Sequence, residues 1–522
     1  MTQQVLSRTD RAERHEFLAL VYCVFIAGLC SIIYELLIAT TASYFMGDAI
    51  LFFSLTIGIY MAAMGAGSYA SKYIKTHLFH WFTGAEILLG LVGGLSVPAL
   101  YFAFSHTELF LPLYAVFTLC VGFLIGLEIP LLTRLLDRYE GLRSNIAHVL
   151  SLDYLGALVA TVAFPFMLLP LLGTFKTSIA FGLVNMSIGI LILWRFAPVF
   201  DAAPRAKRHL ARMLVVSSVL LFLAAIFSGK LLRAWDDSVF SGRVVYAKET
   251  KFQKIVVTKD RSDIRLFLDG NLQFSSLDEY RYHEALVHVP FSVAGFQPRR
   301  VLLLGAGDGM AVREILKYGF VENVTLVDLD PAITKIATAN PYFLAHNKKS
   351  LLRDDVVDIV HADAFGYLQD AESYYDLIIA DLPDPNNSAL ARLYAKEFYR
   401  LVLSRLAVDG VFVTQATSPF FSQRAFWDIA ETVKAGGFSN IAPYHAQVPS
   451  FGEWGFVMAA PRRPLNVLHL HAGIETRFLS QDNLAGLFSF DKDLKTEKPT
   501  VNTLDKPVLL SHYMEGWRKW AR

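Results

Sequence analysis

"VLLLGAGDGMAVREILKYGF", residues 301–320, sets the reading of the C-terminal half of this 522-residue chain. The branched apolar run 301–305 predicts a strand buried on both faces, and the residues after 309 predict a helix. Between them Gly305, Gly307 and Gly309 allow a ligand close to the backbone, as nucleotide-cradling turns do. Asp308 lies in the same turn, where its charge opposes an anionic ligand. Capping of the next helix is the other ordinary use of an aspartate there.

Downstream, apolar runs at 324–328, 357–360, 376–380 and 410–414 alternate with helical stretches. That order predicts a doubly wound, mainly parallel sheet with its ligand at the carboxyl ends of the strands. Acids stand at three of those ends. Asp328 closes the second strand, 23 residues after Gly305, a spacing suited to ribose hydroxyls. Asp363 follows the third and is placed to accept from an adenine amino group. The fourth runs into "DLPDP" (381–385), where Asp381 and Asp384 flank Pro383. Paired carboxylates at a sheet edge suit a cationic amine, one taking a proton and one holding a charged end; Asp-Pro loops also serve as plain turns. The acids favour an adenosyl ligand over a dinucleotide. Asp308 would repel the carboxylate of S-adenosylmethionine and accept a ligand that keeps only the ammonium. Upstream, "FQKIVVTKDRSDIRLFLDGNLQFSS" (252–276) predicts strands at 254–258 and 264–268, a turn at Asp269-Gly270 and a further short strand; 277–290 reads as a helix.

The N-terminal half is of another kind. Residues 1–16 form a charged tail with Arg8, Arg11 and Arg14, and 17–231 hold seven candidate spans near 17–39, 48–70, 80–104, 109–133, 152–173, 175–197 and 211–231. Each approaches the roughly 20 apolar residues that cross a bilayer. A cleaved signal peptide is the rival for the first span, but six others follow it. Lys and Arg gather before span 1 and after spans 2, 4 and 6, which puts the N-terminus in the cytoplasm. Seven spans then leave the C-terminal half outside, unless one is re-entrant or miscounted. Glu35, Glu86, Glu128 and Asp153 fall in or beside spans and serve either helix-to-helix hydrogen bonding or the passage of a cation. The net charge of +1 excludes a general nucleic-acid binder. Cys23, Cys30 and Cys120 all lie in apolar runs, leaving no thiolate site to the polar half.

The fold class expected is thus a polytopic α-helical membrane domain, a small β-rich segment (240–290) and a Rossmann-like, methyltransferase-type α/β domain (291–522). Across 245–460 the chain resembles the spermidine synthase family of polyamine aminopropyltransferases. The matching stretches are "FQKI" (252–255), "LDG" with Gln273, "DEYRYHE" (278–284), "GAGDG" (305–309), "VDLD" (327–330), "DA" (363–364), "DLPDP", "LYAKEFY" (393–399) and "PSFGEWGF" (449–456), in family order. The N-terminal half is similar to that of membrane-fused bacterial members.

The resemblance implies transfer of an aminopropyl group from decarboxylated S-adenosylmethionine, a co-substrate, to putrescine, with no prosthetic group and no metal. It implies that Asp308 binds the aminopropyl ammonium. Gln253 and His283 would line the donor site with Gly305 and Gly307, Asp328 would hold the ribose, and Asp363 with Ala364 the adenine. Asp381 would accept the proton, Asp384 would bind the acceptor amine, Tyr282 would position it and Trp454 would cover its aliphatic part. The chain departs from the family pattern at Phe252, Ala306 and Met310, and "NNSALAR" (386–392) replaces a Gly- and Pro-bearing segment that shapes the acceptor region. A methyltransferase and a non-catalytic polyamine sensor or transporter are the alternatives. Glu35, Glu86 and Glu128 suggest the latter; Asp308 and the paired acids count against the former. The expected location is the cell (inner) membrane, multi-pass, the side of the catalytic domain being left open; a homo-oligomer is left open too.

Overall fold

The computed structural model describes residues 2–47, 49–137, 139, 142–240, 242–495 and 498–520. The chain divides into two units, Met1–Val239 and Phe240–Arg522.

The first unit is all helical: α1 (Thr2–Met46), α2 (Ala49–Ala70), α3 (Leu78–His106), α4 (Phe110–Leu136), α5 (Leu142–Ala163), α6 (Leu169–Arg195), the short α7 (Ala197–Asp201) and α8 (Pro204–Val239). Small residues set the crossings. A Cβ on Gly67 of α2 would lie 2.1 Å from the Phe123 carbonyl of α4, and one on Gly126 of α4 would lie 2.1 Å from the Met64 carbonyl of α2. Only glycine lets these two backbones touch. Large apolar side chains face outward, among them Phe166 (81% exposed), Leu171 (76%) and Trp194 (75%).

Six helices among the described residues are long and apolar enough to cross a membrane, where the sequence suggests seven. The difference lies in one stretch. Ile146–Arg195 counts as a single run of 50 residues and contains both expected spans 152–173 and 175–197. Straight, it would measure about 75 Å, more than twice a bilayer core. It is not straight: π-helical turns at Phe164–Leu168 are followed by Gly173 at φ 69°, ψ 177°, a non-helical conformation that divides the run.

The second unit holds two sheets. Strands β1 (Arg243–Glu249), β2 (Lys254–Asp260), β3 (Asp263–Leu268) and β4 (Asn271–Ser275) form an antiparallel meander. The helix α9 (Glu279–Phe291) leads from it to the larger sheet. That sheet contains β5 (Arg300–Gly305), β6 (Asn323–Asp328), β7 (Val357–His361), β8 (Tyr375–Asp381), β9 (Leu406–Gln415), β10 (Asn440–Val448) and β11 (Gly452–Ala460), in the order β10-β11-β9-β8-β5-β6-β7. β5 to β9 are parallel, whereas β10 and β11 form an antiparallel hairpin added beside β9. Residues 301–304 of β5 and 377–380 of β8 are completely buried, which explains why their sequences are unbroken apolar runs. Strand order reverses between β5 and β8, the point at which open α/β sheets form a ligand crevice at the carboxyl ends of their strands.

Candidate active site

Register alone gathers the acids. Gly305 pairs with Asp381 across β5 and β8, while Asp328 ends β6 on the other side of β5. The glycine turn fits tightly between them. Gly305 has φ 83°, and a Cβ there would lie 2.1 Å from the Asp381 carbonyl oxygen. The Gly307 amide donates to Asp328 Oδ2 at 3.1 Å, and a Cβ on Gly307 would strike that oxygen at 2.4 Å. Ala306 takes φ 60°, so a residue with a side chain is held in the left-handed region between two glycines.

Asp308 is half-buried at the start of α10 (Met310–Ile315). Its Oδ1 accepts from the Met310 amide two residues on at 2.9 Å, but the N-cap of α10 is Gly309 and Asp308 makes no side-chain cap there. Burial raises its pKa, as does the nearby Asp381, while His283 opposes the rise. Burial likewise lifts Asp328 to about 6, against the two amides it accepts from.

Asp381 and Asp384 have different surroundings. Asp381 Oδ1 accepts from the Tyr282 hydroxyl at 2.5 Å, and burial raises its pKa. Asp384 accepts from Tyr513 Oη (3.0 Å), Thr417 Oγ1 (3.3 Å) and Gln415 Nε2 (3.3 Å). Burial pushes it to about 6 in spite of those donors. The loop between the two acids is braced from below. Tyr394 Oη reaches the Leu382 and Pro383 carbonyls at 3.0 Å each, and Gln415 Nε2 donates to Leu382 O at 2.6 Å. Thr417 sits in the left-handed region, φ 57°, which β-branched residues seldom enter.

His283 is buried on α9, and its Nδ1–H donates to the backbone oxygen and Oε2 of Glu279 at 2.9 and 2.8 Å. Burial alone would lower its pKa; Glu279, aided by Asp308 and Asp381, raises it to about 9. Glu279 is in turn gripped by both terminal nitrogens of Arg313 at 2.9 Å. Burial works against that carboxylate, but His283 and Arg313 hold it down at about 2. Beyond Tyr282 an aromatic wall runs through Phe451 to Trp454, with ring centroids 6.1 and 5.2 Å apart. Trp454 is buried with its indole N–H unpartnered.

Two expected donor-site residues are already engaged. Gln253 Nε2 contacts Asp330 Oδ2 at 3.3 Å, next to Thr250 at 2.7 Å, which ties the meander to the helix that Asp330 caps. Asp363 caps the helix Ala364–Asp370 through Oδ2, and its Oδ1 takes Arg392 Nη2 at 2.5 Å. Arg392 comes from the segment that departs from the family pattern, so that segment is tied to the start of this helix; Ala364 beside Asp363 is buried. Sequence reasoning missed Gln415, Thr417, Tyr394 and Tyr513. Gln415 had a signal, being a polar residue ending an apolar strand; Tyr513, far along the chain, had none. A cavity of about 760 Å³ bordered by Ile441, Leu465, Leu484 and Phe488 contains none of these residues.

The chain has relatives among known proteins. The spermine/spermidine synthase domain family matches residues 279–466. Polyamine aminopropyltransferase 2 of Ralstonia nicotianae is 42% identical over 504 residues, 95% of this chain and 98% of its own. Polyamine aminopropyltransferase of Leptospira interrogans is 39% identical over 502 residues, 96% of this chain and 99% of its own. Spermidine synthase in complex with the transition state analogue AdoDATO aligns with 48% of this chain and 87% of that chain, at 24% identity and a TM-score of 0.45. With both relatives matched through the helical unit as well as the crevice, the chain belongs to the polyamine aminopropyltransferase family.

Proposed function

We propose that this chain transfers the aminopropyl group of decarboxylated S-adenosylmethionine to putrescine, giving spermidine and methylthioadenosine. One observation carries the reading: Asp381 at the end of β8 is paired in register with Gly305, whose turn carries Asp308 within electrostatic reach, both acids half-buried and Asp384 three residues beyond Asp381. Their charge suits a donor and an acceptor that both arrive as cations.

Asp308 accepts the donor's ammonium, Asp328 takes the ribose hydroxyls and Asp363, shared with Arg392, faces the adenine. The acceptor lies along Phe451 and Trp454 with its distal ammonium on Asp384. Its near nitrogen loses a proton to Asp381, which Tyr282 orients, and attacks the methylene beside the sulfonium. A carbon–nitrogen bond forms, the carbon–sulfur bond breaks, and its electron pair neutralises sulfur. The leaving group is a neutral thioether, so alignment and proton removal carry the catalysis. Incubating the purified protein with putrescine and each sulfonium donor, with mass spectrometry of the products, tests this. Spermidine and methylthioadenosine from the decarboxylated donor are expected; methylated product from S-adenosylmethionine would replace the reading with methyl transfer.

The helical unit is read as a multi-pass anchor in the cell membrane. Its outward Phe166, Leu171 and Trp194 support this, since a soluble bundle would carry polar groups there. Retention in the membrane fraction after alkaline carbonate washing is expected, and release into the supernatant would refute it.

A further inference from the structure

Inside the helical unit, four buried polar side chains from four helices meet: Tyr34 of α1, Glu86 of α3, Glu128 of α4 and Asn185 of α6. Asn185 Nδ2 donates to the Glu86 carbonyl at 2.7 Å and to Glu86 Oε2 at 3.0 Å. Glu86 and Glu128 interact directly, and the Tyr34 hydroxyl lies within electrostatic reach of both. Each residue is at most 2% exposed. Glu86 Oε1, Glu128 Oε1, Asn185 Oδ1 and the Tyr34 hydroxyl all lack a hydrogen-bond partner. Glu35 differs, being only half-buried.

Of the four unpartnered atoms, three are acceptor oxygens and one is a hydroxyl. Among the described residues no Lys, Arg or His pairs with either carboxylate, and an uncompensated buried charge costs several kcal/mol. Two such charges side by side cannot stand. At least one positive occupant is required, and it is either a proton or a small cation. Structural helix-to-helix bonding would leave the amide oxygen and the hydroxyl satisfied; here both are orphaned beside the acids.

We propose that these residues form a cation site at which a monovalent cation, an alkali ion or the terminal ammonium of an alkylamine, exchanges with a proton shared by Glu86 and Glu128. On binding, one carboxyl O–H bond breaks, its proton leaves to solvent and the cation takes its place among the oxygens. No covalent bond forms to the occupant. The proposal does not depend on the aminopropyltransferase reading.

The test uses the full chain in lipid nanodiscs in weak buffer, titrated separately with sodium chloride, potassium chloride, spermidine hydrochloride and choline chloride. A pH dye reads proton release, and infrared difference spectra read the carbonyl band of a protonated carboxyl. At least one of the first three is expected to release about one proton per chain, saturably, with loss of that band. Choline, which has no N–H and is too bulky, releases none. Whether the alkali or the ammonium arm responds identifies the source of the cation. Glu128→Gln and Asn185→Leu should cut the release at least tenfold, and Glu35→Gln should retain it. Absence of release in the unmodified protein with every cation, or equal release from Glu128→Gln, overturns the proposal, leaving the acids as permanently protonated packing groups. The unmodified protein decides the matter even if a variant fails to fold.

Discussion

Asp381 and Asp384 stand three residues apart and are set for different tasks by what touches them. Asp381 has one donor, Tyr282, and lone pairs to spare for a proton. Asp381→Asn is therefore expected to lower kcat by roughly 10²–10⁴-fold while donor affinity by calorimetry is unchanged. Asp384 must be charged to hold an ammonium, and it gains a proton as pH falls through about 6. The acceptor KM should accordingly rise below that pH, and in Asp384→Asn it should be high at every pH. In the proposed reaction Asp308 sets donor choice. In Asp308→Asn the preference for the decarboxylated donor over S-adenosylmethionine should shrink by at least tenfold, since the amide no longer repels a carboxylate.

At the scale of elements, α9 reaches Asp381 through Tyr282, and the C-terminal helix Val508–Arg518 reaches Asp384 through Tyr513. On α9, the His283–Glu279–Arg313 chain is a stability device. His283 has a folded pKa near 9, above the unfolded value of about 6.5. Its stabilisation is thus complete below about 6.5 and is lost as pH rises through about 9; its ceiling is on the order of 3 kcal/mol. Denaturation midpoints should fall over that window, and His283→Gln should flatten the slope. On the C-terminal helix, Tyr513→Phe removes one of three hydrogen bonds to Asp384. A loss of about 1 kcal/mol there predicts an acceptor KM raised by roughly fivefold to tenfold with donor affinity unchanged. The elements differ in how far the sequence announces them. β5, β6 and β8 are buried on both faces and read as continuous apolar runs. β1 is largely exposed, and β10 carries Pro443, which an edge strand tolerates but which hides the strand from inspection. The glycine turn and the acids at strand ends were legible because spacing alone places them. Tyr513 and Thr417 were not, because only tertiary packing brings them to Asp384.

For the whole molecule, if the helical unit is the proposed membrane anchor, the number of crossings decides which compartment the proposed catalytic unit faces, and that number turns on the break at Gly173. Protease accessibility of residues 240–522 in oriented vesicles reads it out: protection in right-side-out vesicles is expected if the run Ile146–Arg195 counts once, cleavage if it counts twice. The acid pair of the helical unit has a further consequence. In the proposed exchange, each monovalent cation that binds there displaces one proton. Replacing a proton by a monovalent cation leaves its charge unchanged, so the exchange is electroneutral. A voltage across the bilayer would exert no net force on such an exchange, whereas a pH difference would drive it, alkaline conditions favouring the cation.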